Sequence, residues 1–194
     1  MRSQSFPSYS QGAQDKPLLA MTIGQAFDQT VARYLEGEAL VVRHQQQRFT
    51  WAQLAQTVDL YARALLALGL QAGDRLGVWA PNCSEWFICQ FASAKIGVIL
   101  VNINPAYRLS ELEYVLKQSG CQWLVCAAQF KTSNYHAMLQ ALLPELAQHP
   151  VGHLDNERFN ELRGIISLDV QPPTGFLPWS ELATLAIGVT LEQF

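Results

Sequence analysis

Residues 73–108, GDRLGVWAPNCSEWFICQFASAKIGVILVNINPAYR, restrict the possible folds of this chain more than any other segment. The short apolar run Arg75–Ala80 predicts a strand. Ser84 is predicted to cap the helix that follows, because its hydroxyl can accept a backbone hydrogen bond in the first turn. Gly97 is placed to end that helix, and the continuous apolar run Val98–Val101 is typical of a strand covered on both faces. A strand, a helix and a strand within about 30 residues predict a βαβ unit with parallel strands.

The alternation of strands and helices continues along the chain. Further strands are predicted at Trp123–Ala127 and Gly164–Leu168, and a helix at His136–Gln148 that is kinked or restarted at Pro144. Ahead of the βαβ unit, Leu40–Phe49 is predicted to form a small β-hairpin. Strands that alternate with helices indicate an α/β fold, here a parallel, doubly wound sheet with helices on both faces.

Three pairs of capping residues predict where helices begin. In a capping box, a Ser or Thr side chain and a Glu or Gln side chain three residues later each bond to the other's backbone N–H. A hydrophobic staple, in which Leu109 packs on Tyr114, is predicted to accompany the third pair. The pairs are Thr22 with Gln25, Thr50 with Gln53, and Ser110 with Glu113.

The composition suits a folded domain and excludes several classes of function. Of the 194 residues, 49% are hydrophobic and 15% are charged, and the net charge is −3. No cluster of Lys and Arg is present, so the sequence offers no electrostatic basis for nucleic-acid binding. No apolar run approaches the ~18 residues of a transmembrane helix, and the N-terminus lacks the apolar core of a signal peptide. We therefore expect a cytoplasmic protein.

Neither the cysteines nor the histidines are spaced as metal ligands. His149 and His153 are four residues apart, but Pro150 and Gly152 exclude the helix that would align them. The cysteines lack CxxC spacing and lie in predicted buried elements, so we expect core thiols in a reducing compartment. They are Cys83, Cys89, Cys121 and Cys126.

The sequence contains none of the short motifs that bind phosphates or carry out hydrolysis. It has no G-x-G-x-x-G, no glycine followed by lysine, no G-x-S-x-G and no HExxH. Thr174-Gly175, within PPTGFLPW, lacks the glycine run and the lysine of a phosphate loop, and we predict a turn there. From these absences we assign no catalytic and no metal-ligating residue to the chain.

The best-placed polar residues follow the predicted strands, at the sheet edge where open α/β folds bind ligands. Each has a structural explanation as well. An Asn can form an Asx-turn after a proline, and Arg108 can pair with Glu111 or Glu113. Both alternatives stay open on the sequence alone. The residues are Asn82, Asn102, Asn104, Tyr107 and Arg108.

Three segments together strongly resemble the AMP-forming acyl-CoA synthetases of the adenylate-forming superfamily, and most closely their bacterial medium- and long-chain fatty-acid branch. They are GDRLGVWAPNCSEW, FASAKIGVILVNINPAYR and ELEYVLKQSGC. The combination NPAYR-x-x-ELEY-x-L-x-x-SG is the most specific part. The later GIISL and LPWSEL agree as well, so the resemblance covers about residues 20–182.

This resemblance implies an enzyme that uses ATP and Mg²⁺ to form an acyl-adenylate and then transfers the acyl group to coenzyme A. The family's phosphate loop, adenine and ribose motifs, acidic Mg²⁺ residue and C-terminal lysine have no counterpart in this sequence. We therefore expect no cofactor in this chain alone. A basic residue in the loop after the second strand can meet the nucleotide end of coenzyme A in such enzymes, which makes Arg108 a candidate contact for a phosphate of coenzyme A.

The resemblance leaves two hypotheses for the chain. One is an N-terminal fragment of a fatty-acid or other carboxylate–CoA ligase, with a flexible tail at residues 1–20 and an incomplete AMP-binding domain at residues 21–194. The other is a non-catalytic scaffold that docks a partner ligase. In the first case the expected partners are the missing C-terminal portion or a second copy of the chain, because incomplete sheets expose strand edges. A free-standing nucleotide-binding domain is disfavoured, since no phosphate loop is present.

Overall fold

The structure, a computed structural model, describes residues 12–13, 15 and 17–190. Within these residues the α-helices are α1 Ile23–Tyr34, α2 Trp51–Ala67, α3 Ser84–Lys95, α4 Leu109–Ser119, α5 Tyr135–Leu142 and α6 Leu182–Leu185. Short 3₁₀ turns lie at Arg43–Gln45, Leu146–Gln148 and Trp179–Glu181.

The β-strands of this part of the chain form one central sheet and two small hairpins. In the order β4-β3-β5-β8-β9, five strands make a sheet in which every neighbouring pair is parallel. The pairs β1–β2 and β6–β7 are antiparallel. The strands are β1 Glu38–Val42, β2 Gln47–Thr50, β3 Arg75–Trp79, β4 Ile99–Asn102, β5 Trp123–Cys126, β6 Gln129–Phe130, β7 Ser133–Asn134, β8 Gly164–Ser167 and β9 Phe176–Pro178.

Alternate side chains of β5 enter two hydrophobic cores on opposite faces of the sheet. Trp123 and Val125 belong to a core shared with α1, α2, α3 and α6, whereas Leu124 and Cys126 belong to one shared with α4 and α5. All four side chains are at most 1% exposed. Because successive side chains of a strand point to opposite faces, this arrangement requires helices on both sides. The predicted doubly wound α/β fold is confirmed.

Two of the three predicted capping boxes are confirmed. The backbone N–H of Gln25 donates to Thr22 Oγ1 at 3.1 Å, and that of Thr22 donates to Gln25 Oε1 at 2.9 Å. Thr50 and Gln53 exchange the same bonds at 3.2 Å and 2.9 Å. Each box satisfies donors that the first turn of a helix leaves unpaired. Local sequence therefore fixes the starts of α1 and α2.

The prediction that the strand after α3 is covered on both faces is wrong. β4 is the edge strand of the sheet, pairs only with β3 in the described part of the chain, and is half-buried or exposed along its length. Ile99 is 49% exposed. The apolar run is typical of a central strand, and the sheet order leaves it at the edge. An open parallel edge presents unpaired N–H and C=O groups, so it favours further strand pairing.

The prediction that Ser84 caps α3 is also wrong. The N-cap position is held by Cys83, whose side chain makes no capping bond, and Ser84 is the first helical residue. The backbone N–H of Ser84 instead donates to Gln45 Oε1 at 2.8 Å. Gln45 lies in the turn between β1 and β2, so the hairpin supplies the cap of a helix that begins 39 residues later.

The third capping box, Ser110 with Glu113, is wrong because α4 begins two residues earlier than predicted. Arg108 is the N-cap, and its backbone N–H donates to Glu111 Oε2 at 3.1 Å. The predicted staple is absent too, since Leu109 is 39% exposed and Tyr114 is 66% exposed. The carboxylate of Glu111, the third residue of the helix, thus caps the start of α4.

The other predicted elements are confirmed with shifted ends. The helix predicted at His136–Gln148 is α5, which ends before Pro144, followed by a 3₁₀ turn at Leu146–Gln148. The hairpin predicted at Leu40–Phe49 is β1–β2. Most of the predicted tail, residues 1–20, lies outside the described residues, so the domain boundary stays a prediction. No helix of the described part is long and apolar enough to cross a membrane.

Candidate functional site

The candidate site lies at the edge of the sheet where the parallel strands β3, β4, β5 and β8 end. In open α/β sheets this edge carries the ligand-binding loops. Of the five predicted polar residues, Asn82 lies on the loop after β3 and Asn102 ends β4. The other three, Asn104, Tyr107 and Arg108, lie between β4 and α4. The contacts of each residue decide whether its side chain is free to bind a ligand.

Asn102 and Asn104 are used to build the loops. Asn102 Oδ1 accepts a hydrogen bond from Trp86 Nε1 at 2.9 Å, which ties the end of β4 to α3. Asn104 Oδ1 accepts from the backbone N–H of Ala106 at 2.9 Å, and its carbonyl oxygen accepts from Trp79 Nε1 at 3.2 Å. For these two residues the structural explanation is sufficient.

A buried aromatic pair supports the loop that carries Arg108. The rings of Trp79 and Tyr135 are nearly parallel, with centroids 3.5 Å apart, and both side chains are fully buried. The hydroxyl of Tyr135 donates to the carbonyl oxygen of Pro105. Burial raises the pKa of Tyr135 to about 12, so the hydroxyl keeps its proton and remains a donor. Hydrogen bonds from this buried aromatic pair thereby hold the turn between β4 and α4 in place.

Arg108 is exposed at this fixed turn and makes no ion pair with the neighbouring carboxylates. The contact of its guanidinium is Nη2 to Thr132 Oγ1, and at 3.5 Å it is weak. Glu113 is bound by Lys117 and by Arg158, each at 2.7 Å. The Glu111 carboxylate contacts the backbone N–H of Arg108 and not its guanidinium. The predicted alternative role, an Arg108 ion pair with Glu111 or Glu113, is therefore absent from the part of the chain that the structure describes.

Hydrogen bonds at the start of α4 keep Glu111 ionised. The backbone amide of Glu111 itself and that of Arg108 lower the pKa of the Glu111 carboxyl. A carboxylate at the N-terminus of a helix is also favoured by the helix dipole. Glu111 and Tyr107 line a shallow groove of about 270 Å³ beside Arg108. Asn82, the remaining predicted residue, is exposed and lines a different groove, described below.

A buried His–Ser pair, which sequence analysis missed, lies at the end of β8. His136 Nε2 is 2.8 Å from Ser167 Oγ, and Ser167 Oγ also accepts from the backbone N–H of Asp169 at 3.1 Å. Ser167 is 0% exposed, so its hydroxyl is closed to any substrate. Burial lowers the pKa of His136, and Asp169 opposes this effect. The pair holds the loop after β8 in place.

The turn at Thr174-Gly175 is confirmed as a packed turn. Gly175 has φ +95°, and a Cβ at this position would lie 2.5 Å from the carbonyl oxygen of Leu146. Its backbone is therefore pressed against another segment and is closed to a phosphate group. No group of three or more His, Cys, Asp or Glu side chains that could hold a metal ion occurs among the described residues.

The largest groove among those described, about 490 Å³, lies between the hairpin and α3. We call it the hairpin groove; its lining includes Leu40, Val41, Val42, Cys83, Trp86 and Phe87. Of the four cysteines, three are buried and Cys83 is half-buried at this groove. Burial raises the pKa of the Cys83 thiol to about 11, so the groove presents a neutral thiol at physiological pH.

Comparison with known proteins gives the family. Residues 27–177 match the sequence model of the AMP-binding enzyme family. The chain belongs to the AMP-binding enzyme family. It is 45% identical over 166 residues to the mitochondrial medium-chain acyl-CoA ligase ACSF2 of Mus musculus, and this match covers 86% of the chain and 27% of ACSF2. The predicted resemblance to acyl-CoA ligases is confirmed, and the chain spans about a quarter of the length of this relative.

Solved structures confirm the fold of this chain. The N-terminal domain of FACL13 from Mycobacterium tuberculosis matches with a TM-score of 0.67 at 20% identity, over 90% of this chain and 38% of that one. The anthranilate CoA ligase AuaEII, solved with anthranoyl-AMP, matches with a TM-score of 0.71 at 19% identity, over 90% of this chain and 30% of AuaEII. The match thus corresponds to the N-terminal part of these enzymes.

Proposed function

We propose that this chain is the N-terminal part of an AMP-forming ligase that joins a fatty acid to coenzyme A, and that it needs the rest of the ligase for activity. The observation that carries this proposal is the 45% identity to ACSF2, a medium-chain acyl-CoA ligase, over 166 residues. No observation specifically favours the scaffold alternative.

ATP and Mg²⁺ are implied by the family, and the described residues do not fit them. A hard cation such as Mg²⁺ takes carboxylate and phosphate oxygens, and no acidic cluster is present in residues 17–190. The turn at Gly175 is closed by Leu146. We therefore assign adenylation to the remainder of the ligase.

Among the described residues, Arg108 is our candidate contact for coenzyme A. Its exposed guanidinium can form two parallel hydrogen bonds to phosphate oxygens, which is the geometry that arginine prefers for such groups. The Glu111 carboxylate already accepts from the backbone N–H of Arg108 at the start of α4, so the guanidinium is the group that supplies the positive charge here. Coenzyme A supplies the thiol that accepts the acyl group. In this proposal Arg108 binds a phosphate at the nucleotide end and so orients the molecule.

A chimera tests this function. The chain replaces the matched segment of mouse ACSF2, and purified protein is given decanoate, ATP, Mg²⁺ and coenzyme A. We expect decanoyl-CoA, detected by mass spectrometry, because the chain supplies the same structural part as the segment it replaces. ACSF2 lacking the segment is the control and should form none. A folded chimera without activity would refute the proposal. The cytoplasmic location stays a prediction, since the relative is mitochondrial by name.

A further inference from the structure

We propose that the hairpin groove is the surface on which the remainder of the ligase packs, together with the open edge of β4. This inference rests on the proposed function and names the surface that the larger protein covers. It depends on three observations: how the groove is built, how it connects to β4, and how much of the relatives lies outside this chain.

The groove is held in shape by polar contacts from the hairpin to α3. Gln45 Oε1 accepts from the backbone N–H of Ser84, and Gln45 Nε2 donates to Glu85 Oε2, each at 2.8 Å. These bonds fix the hairpin turn against the first turn of α3. The walls are mainly apolar on both sides, with Val41 37% exposed. A preformed apolar groove favours a partner, because covering it removes apolar surface from water.

One lining residue of the groove contacts the strand at the open edge of the sheet. Trp86 lines the groove, and its Nε1 donates to Oδ1 of Asn102, the last residue of β4, at 2.9 Å. β4 has a strand on one side only within the described residues. Helices normally cover both faces of a parallel sheet, whereas an edge strand leaves backbone N–H and C=O groups unpaired and available to a further chain segment. A polypeptide can cover the groove and pair with β4 together, whereas a small ligand can do only the first.

The occupant follows from the size of the relatives. The match to this chain makes up 27% of ACSF2 and 30% of AuaEII. Most of each relative therefore lies outside the matched part and has to pack against it somewhere. Arg43, an exposed groove residue with no ion pair among the described residues, suits a carbonyl or carboxylate oxygen on that partner. The remainder of the ligase is the partner of this size and chemistry.

Cysteine labelling tests the surface without relying on activity. Val41→Cys is placed in the chain alone and in the ACSF2 chimera, and its reaction rate with a maleimide is followed by mass spectrometry of the modified peptide. Val170→Cys is the matched control, because Val170 is 79% exposed and does not line the groove. We expect the Val41→Cys site to react at least about tenfold more slowly in the chimera than in the chain alone, as a covered position does. The Val170→Cys site should react equally in both.

The outcomes separate this inference from the proposed function. An active chimera in which both sites react as fast as in the chain alone would refute the docking surface and leave the proposed function intact. If the Val41→Cys site in the chain alone became protected from labelling as the protein concentration rose, the groove would bind a second copy of the chain. That result would also refute the docking surface. If decanoate slowed labelling of the Val41→Cys site in the active chimera, the groove would bind a small molecule. That result would likewise refute the docking surface.

A second measurement applies if the chimera does not fold. The tagged chain is co-expressed with the part of ACSF2 that follows the matched segment, and recovery of that part is compared between Val41→Glu and Val170→Glu. A buried charge without a partner is costly, so Val41→Glu should reduce recovery at least about tenfold. Equal recovery with the two variants, or no recovery with the unaltered chain, would contradict the proposed surface.

Discussion

The ammonium of Lys95 lies 2.6 Å from Oδ1 of Asp59, and this contact joins the end of α3 to α2. The same ammonium lies 2.7 Å from Oδ1 of Asp28 on α1. Burial lowers the pKa of Lys95, but the hydrogen bonds to Asp28 and Asp59 outweigh burial and raise it. One cation therefore links α1, α2 and α3, three of the helices that pack on this face of the sheet.

Replacing this cation should destabilise the fold. Lys95→Met keeps the apolar stem of the side chain and removes the charge, which leaves two partly exposed carboxylates facing each other. We expect a loss of about 1–2 kcal/mol in the free energy of unfolding, measured with urea. Arg48→Met is the control, because the Arg48–Glu38 pair is largely exposed and its loss should cost at most about 0.5 kcal/mol. Equal losses in the two variants would contradict this role of Lys95.

The buried His136 should make stability depend on pH. Its pKa is lowered in the folded state, so the unfolded chain binds the proton more tightly. Its contribution is complete above the unfolded pKa, about 6.5, and is lost as the pH falls below that value. We expect the urea midpoint to fall between about pH 7.5 and pH 5.5, before carboxylates protonate. His136→Gln, which keeps a hydrogen bond to Ser167, should flatten this slope. An unchanged slope would show that His136 does not cause it.

Arg108 should affect coenzyme A and leave adenylation unchanged. In the ACSF2 chimera, Arg108→Ala removes the guanidinium and should raise KM for coenzyme A about tenfold, while ATP–pyrophosphate exchange stays within about twofold. Arg158→Ala is a matched control, since Arg158 is already paired with Glu113. The prediction fails if KM for coenzyme A is unaltered by Arg108→Ala, or if Arg158→Ala raises it equally.

Sequence predicted the elements whose signals are local. The boxes at Thr22 and Thr50 need only residues three apart, and both are present. Ser84 is not the N-cap of α3, because the helix begins at Ser84 itself. Gln45, distant in sequence, accepts the hydrogen bond from its backbone N–H. The predicted burial of the strand that contains Ile99 was wrong because the strand order leaves β4 at the edge of the sheet. Strand order depends on the whole chain. Local patterns thus predict that these helices and strands exist and where α1 and α2 begin. The exact starts of α3 and α4 and the strand order differ from the local patterns.

The candidate site was predicted in place and only partly in detail. The sequence located Asn102, Asn104 and Arg108 after a strand, and the structure uses both asparagines to hold the loops. The His136–Ser167 pair was missed, since its residues are 31 apart and meet only when α5 packs at the end of β8. The sequence placed His136 in a predicted helix and Ser167 in a predicted strand. These two polar residues in apolar elements were the available signal for a buried hydrogen-bonded pair.

ATP–pyrophosphate exchange is the most direct test of the central claim, that this chain is one part of an acyl-CoA ligase and carries no adenylation site of its own. Transition-state stabilisation of adenylyl transfer needs placed donors and a metal, and residues 17–190 form no metal-ligand cluster. With decanoate, ATP and Mg²⁺, the chain alone should give background exchange, and the ACSF2 chimera should give exchange well above it. Robust exchange by the pure chain, or none by a folded chimera, would contradict the account.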